Sequence, residues 1–108
     1  MTTFTVEWSD NARADMEDIA AYIEADCAIN ALAVVERIEA RAESLTTMPR
    51  RGRIVPELRW HGITAFQELI ERPWRIVYQI QGEKVGVVAV LDGRRELEDL
   101  LLGRLVRA

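Results

Sequence analysis

Two apolar runs joined by four turn-forming residues constrain this chain most. Residues 66–95 read FQELIERPWRIVYQIQGEKVGVVAVLDGRR. Trp74–Gln81 and Val85–Leu91 are rich in β-branched and aromatic residues, the composition of strands. Between them Gln81-Gly82-Glu83-Lys84 supplies a Gly-X pair, the chemistry of a two-residue II′ hairpin turn. With Gly82-Glu83 as the loop, Ile80 faces Val85, Tyr78 faces Val87, Ile76 faces Ala89 and Trp74 faces Leu91. Side chains alternate along a strand, so these eight line one apolar face. The other face carries Arg75, Val77, Gln79, Val88 and Val90, half apolar with one cation set into it. A ribbon apolar on both sides is covered on both. The same chain supplies one cover, and a partner is the candidate for the other.

A chain of 108 residues is expected to form one domain. At that size folding buries about 65% of the unfolded surface, enough for a core without metal or disulfide. Cys27 is the single cysteine. An intramolecular disulfide and a cysteine metal cluster are therefore excluded, a reduced cytoplasmic setting is expected, and Cys27 reads as a buried small hydrophobe. The opening MTTFTVEW lacks the basic and apolar regions of a signal peptide, and no stretch reaches membrane-spanning length. Charge is unevenly placed. Residues 1–48 carry ten acids and three arginines, a balance of −7, and residues 49–108 carry eight acids and eleven Lys/Arg, a balance of +3. Such asymmetry implies two different faces toward solvent or partners. A pI near 5.0 argues against strong non-specific nucleic-acid binding.

Phe4 to Trp8 alternates as a short strand, and Ser9 or Asp10 supplies a helix N-cap. Ala12, Met16, Ile19, Ala20 and Ile23 mark the stripe of a first helix ending near Ala25-Asp26. Ala31, Val35, Ile38, Ala42 and Leu45 mark a second, over about Ala28 to Thr46. The short break predicts an antiparallel αα-hairpin. Pro49 stops the second helix and opens a cationic turn through Arg53. Ile54 to Trp60 has no clear period, and Pro56 would fit only a strand edge. Ala65 to Ile70 reads as a strand before the hairpin, and Leu97, Leu100, Leu101 and Leu105 place a C-terminal helix over Arg95 to Val106. The sum is a two-layer α+β domain, helices on one face of an antiparallel sheet.

Catalytic chemistry is sparse. His61 is the only histidine, which excludes a histidine pair for metal or acid–base work, and the six glycines form no phosphate-cradling loop. No catalytic residue, metal or cofactor is assigned. Arg75, Arg94 and Arg95 lie toward one end of the ribbon. They serve either as a cationic site for a partner's carboxylate or phosphate, or as partners of Glu68, Glu71, Asp92 or Glu96.

The ordered set of motifs resembles the ParE/RelE superfamily of toxins from bacterial toxin–antitoxin pairs. Its carriers are Ala12, Asp15, Ile19, Tyr22 and Ile23, then Leu45, Pro49 and Gly52-Arg53 with Val55-Pro56-Glu57-Leu58. Glu68-Leu69, Trp74-Arg75-Ile76-Val77-Tyr78 and Gly93-Arg94-Arg95 follow. The resemblance implies a helical hairpin on a curved antiparallel sheet with a short C-terminal helix. RelE-like members cleave mRNA on the ribosome with lysines, arginines and a C-terminal tyrosine. Here the lysine positions hold Gln67-Glu68-Leu69, and the tyrosine position falls at Leu101. ParE-like members instead bind DNA gyrase, and this chain looks like a ParE, with Gln67 where that group carries arginine. The candidate target contacts, chosen from charge and expected exposure rather than from a family motif, are Arg75, Arg94, Arg95 and Leu101. The candidate antitoxin contacts are Val77, Val88 and Val90 on the hairpin's second apolar face, with Ile19 and Ile23 of the first helix. The implied partners are a cognate antitoxin and gyrase, with a homodimer or a heterotetramer with the antitoxin as possible assemblies. No sequence-specific nucleic-acid contact and no membrane is implied. An mRNA endonuclease and a detoxified antitoxin-binding module are the alternatives.

Overall fold

The computed structural model describes residues 3–106. A five-stranded sheet runs through it in the order β1-β5-β4-β3-β2. Its strands are β1 (Thr5–Trp8), β2 (Arg53–Ile54), β3 (Phe66–Glu71), β4 (Trp74–Gln81) and β5 (Lys84–Asp92). The helices are α1 (Asp10–Glu24), α2 (Ala28–Glu43), α3 (Pro56–Arg59) and α4 (Glu98–Leu105).

The helical hairpin forms as its stripes predict. Ser9 caps α1, its Oγ accepting from the Ala12 N–H at 3.0 Å. Ala12 and Ile19 of α1 and Ala31, Ile38 and Ala42 of α2 are buried. The second helix gives way to a 3-10 turn over Ser44–Thr46, and Pro49 opens another over Pro49–Arg51. Cys27 is half-buried at the break between the helices rather than in the core.

The β4–β5 hairpin turns where expected. Gly82 has φ +61 and Glu83 is not left-handed, which fits a II′ turn rather than the I′ turn that needs both. Ile80↔Val85 and Tyr78↔Val87 pair as predicted. A bulge then intervenes at Val88, so Val77 pairs with Ala89, Ile76 with Val90, Arg75 with Leu91 and Trp74 with Asp92. The expected pairings Ile76–Ala89, Trp74–Leu91 and Arg75–Val90 are thus displaced, and Val90 exchanges faces with Ala89 and Leu91. Residues 87–91 are apolar without interruption, so no polar side chain in the sequence marks the slip.

Two further differences follow from pairings that a local pattern does not encode. The first strand runs parallel to β5, so the sheet is mixed rather than antiparallel throughout. Helices also cover both faces rather than one. On the first face α1 and α2 close over Leu69, Trp74, Ile76, Tyr78, Val85, Val87 and Val90. On the second, α3 and α4 bring Leu58, Leu97 and Leu101 onto Val77, Ala89 and Leu91. The ambiguous segment 54–60 resolves as β2 and α3, with Pro56 in the first turn of the helix, where its missing N–H costs nothing.

Beyond Val87 the outer edge of β5 loses β1, and α1 takes over its hydrogen bonds. The Val90 N–H donates to Asp15 Oδ2 at 2.9 Å. The same carboxylate receives both terminal nitrogens of Arg104, at 3.2 and 3.0 Å, which ties α4 to α1.

Candidate functional site

Arg75 is the polar centre of the second face. The residue is 7% exposed, and each nitrogen of its guanidinium donates to a carboxylate. Nε donates to Glu68 Oε1 at 2.6 Å, and the two terminal nitrogens clasp Glu57 at 2.6 and 2.7 Å. The other oxygen of Glu68 accepts from Arg53 Nε. Two arginines and two carboxylates thus close a neutral group of four, with no buried side-chain polar atom among the described residues left unpaired. The bond to Arg75 holds the Glu57 carboxyl below its ordinary range, and the bond to Glu57 raises Arg75 further.

Motif residues gather around this group. A Cβ on Gly93 would lie 2.9 Å from Arg75 Cδ, so this glycine lets the chain pass over the arginine stem. A Cβ on Gly52 would lie 2.7 Å from the Glu68 carbonyl oxygen. The buried Tyr78 hydroxyl donates to the Pro49 carbonyl at 2.6 Å and accepts from the Gly52 N–H at 3.1 Å. Burial raises its pKa. Gln67 donates to the Gly52 and Arg50 carbonyls at 2.7 and 3.1 Å.

A second feature lies at the end of the sheet, between α1 and the start of α4. A cleft of about 330 Å³ is floored by Ile19, Trp74 and Val90 and rimmed by Asp18, Tyr22, Arg94, Arg95 and Leu100. Tyr22 is 77% exposed on this rim. Arg94 is spent on Asp92, with Nε and a terminal nitrogen at 3.0 and 2.9 Å, and this contact pulls the Asp92 carboxyl down to about 2. Arg95 forms no ion pair among the described residues.

The structure therefore divides the residues that the sequence singled out. Ile19, Val90, Arg94 and Arg95 meet at the cleft. Arg75, Val77 and Leu101 are buried beneath or within the α3–α4 layer. Val88 is half-buried at the bulge on that side, and Ile23 is half-buried against the first core. Val90 lies in the first core, 2% exposed, not on the second face. Sequence reasoning named Glu68 as a partner of Arg75 but missed Glu57. The signal was a proline followed by an acid, a helix start that orients Glu57 toward the sheet. Trp60, 81% exposed after α3, also passed unremarked.

These features define a small α+β domain with a helical hairpin on one side of its sheet. The same fold appears in a chromosomal ParDE toxin–antitoxin system from P. aeruginosa, at TM-score 0.72 and 18% identity over 85% of this chain and 98% of that one. It appears again in the RelBE2 toxin–antitoxin complex of Mycobacterium tuberculosis, at TM-score 0.58 and 23% identity over 85% and 93%. In sequence, residues 6–97 match the family model of the ParE toxin of type II toxin–antitoxin systems. The chain belongs to that family. It is 37% identical over 67 residues to Toxin ParE3 of Caulobacter vibrioides, a match spanning 62% of this chain and 63% of that protein.

Proposed function

We propose that the chain inhibits DNA gyrase by binding it, with no covalent chemistry of its own, and that a cognate antitoxin neutralises it. The observation that carries this reading is the state of Arg75. Stabilising a phosphoryl transition state requires a cation free to meet the developing charge. Every nitrogen of this guanidinium already donates to a carboxylate, and the group of four around it is neutral. A scissile phosphate approaching Arg75 would meet Glu57 and Glu68 beside it. With leucine at 101 and no lysine on β3, a general acid and a phosphate clamp are both missing from the place where RelE-like chemistry would sit.

In this reading the exposed cations Arg94 and Arg95 face the target, and Arg75 and Leu101 support them from below. The antitoxin lies along the cleft between α1 and α4 and meets Ile19 through its floor, with Ile23 further along α1. Val77 and Val88 belong to the opposite face of the sheet, under α3 and α4, and lie outside that contact. Val90 contributes to the floor as a core residue, so an aspartate there tests folding before it tests binding. The functional test runs two assays on the purified protein, gyrase supercoiling of relaxed plasmid and message cleavage on translating ribosomes. Blocked supercoiling with intact message is expected. Cleaved message with normal supercoiling would overturn the reading, and inactivity in both would point to a detoxified antitoxin-binding module.

A further inference from the structure

The layer formed by α3, α4 and the β2 edge is unlike the helical hairpin opposite. Its internal charges cancel, because Arg53 and Arg75 are matched by Glu68 and Glu57. What remains exposed on residues 50–61 is cationic, whereas the first turn of α4 carries the acids Glu98 and Asp99. Arg50, Arg59 and Arg95 form no ion pair among the described residues. Nη1 of Arg51 donates to the carbonyls of Ser44, Thr47 and Met48, contacts that leave its charge without a carboxylate partner.

Among these cations stands Trp60. A lone exposed aliphatic residue carries little meaning. An indole exposed over 81% of its surface and held in a closed turn is different. The Trp60 N–H donates to the Pro56 carbonyl at 3.2 Å, and the Gly62 and Ile63 N–H groups return to Arg59 and Leu58 at 2.9 and 3.0 Å. Gly62 takes the left-handed conformation, φ +76, that closes the turn. His61 Nε2 lies 2.7 Å from Glu98 Oε1 and fixes this turn beside the first turn of α4, three residues beyond Arg95. The indole is therefore presented by fixed backbone, with little ordering left to do on binding.

Rigid tryptophan and arginine side chains dominate the energetics of protein interfaces. We infer that Trp60, next to Arg59, is the anchor of the surface that meets the target, and that the complementary site is an apolar pocket on a protein with a carboxylate at its rim. This rests on the gyrase reading above and adds to it the residue that carries the affinity. A protein partner is favoured over a nucleic acid because the chain as a whole is anionic, net −4, with its largest acidic surplus in residues 1–48.

The experiment measures affinity for purified gyrase and for the cognate antitoxin with wild type, Trp60→Ala, Trp60→Phe and Arg59→Glu. Both side chains are exposed, so unchanged thermal unfolding is expected. Trp60→Ala should weaken gyrase binding about thirtyfold, Arg59→Glu should weaken it too, and Trp60→Phe should restore most of it. Antitoxin affinity should stay within about twofold of wild type. Wild-type affinity for gyrase in both Trp60→Ala and Arg59→Glu would place the target surface elsewhere and leave the gyrase reading intact. Loss of antitoxin binding in Trp60→Ala would make this the antitoxin's anchor instead. A wild-type protein that binds an oligo-dT strand through Trp60 but not gyrase would overturn the choice of a protein partner. Wild type that binds neither would remove the gyrase reading, and this inference with it.

Discussion

The two faces of the sheet are closed by different physics. On the α1–α2 face, long helices press aliphatic residues onto strands whose inward positions are almost all apolar. That closure is non-directional, roughly proportional to buried area, and needs only the right residues in the right period. On the α3–α4 face the covering helices have 4 and 8 residues, and α4 contains Gly103. There the apolar cluster shares the surface with Arg75, Glu57, Glu68 and Arg53. A short cover is held in place by directed contacts: Glu57 draws α3 down, Arg104 ties α4 to Asp15, and His61 meets Glu98. The lesson is that the polar motif residues of this family read here as fasteners for a thin layer.

Removing the charge at the centre of that layer should have the largest effect. Arg75→Ala leaves Glu57 and Glu68 without their main partner, and Glu68 is 1% exposed. A loss of about 3–5 kcal/mol is expected in denaturant unfolding. A loss below about 1 kcal/mol would mean that water reaches the group and that the two faces differ less than claimed. On the apolar face, Ile38→Ala should cost about 2–5 kcal/mol. Its signature is different: the loss should be independent of pH, whereas the charged face should respond to acid.

The sign of that response follows from Glu57. Its folded pKa lies below the unfolded 4.5, so it contributes stability that is complete above 4.5 and disappears as pH falls through the folded value. Asp92, lowered to about 2, acts in the same sense over a lower window. Glu57→Gln should flatten the part of the acid limb just below pH 4.5 while leaving the Asp92 part in place. An unchanged acid limb would locate the pH dependence elsewhere.

Smaller effects should separate the fasteners from the floor. Asp15→Asn weakens the grip on Arg104 and replaces the acceptor of the Val90 N–H, a loss of about 1–3 kcal/mol. Hydrogen exchange should localise it to α4 and the end of β5. Uniformly faster exchange across α2 would contradict a local latch. Arg94→Ala should be the mildest, with no resolvable shift of the denaturant midpoint, because its ion pair with Asp92 is at the surface and its side chain is 71% exposed.

The same contrast explains what the sequence disclosed. The helical hairpin, the Gly82-Glu83 turn and most of the first core follow from periods of 3.6 and 2 and from turn chemistry, all local signals. The bulge at Val88 was hidden because every neighbour is apolar on both faces. The parallel pairing of β1 was hidden because alternation reports a strand but not its direction. Arg75 was visible as a cation in an apolar strand, and Glu68 as a possible partner. Glu57 was not, because the contact spans 18 residues and depends on where α3 lands. Motif resemblance singled out Glu57, Glu68, Arg75, Arg94 and Arg95 without their contacts. Their placement separates the buried group of four from the exposed Arg94 and Arg95, and Trp60 lies outside every motif.

The central claim is that Arg75 acts by holding the fold and that target contact belongs to the exposed surface. The most direct measurement is growth arrest on induction of a triple variant, Glu57→Gln with Glu68→Gln and Arg75→Met, beside wild type. Removing the charges together avoids stranding one of the Glu57, Glu68 and Arg75 group alone, and circular dichroism establishes that the variant is folded. A folded variant that arrests growth at the same inducer dose as wild type is the predicted result. A variant equally folded yet harmless would contradict the account and put the Arg75 guanidinium itself at the target.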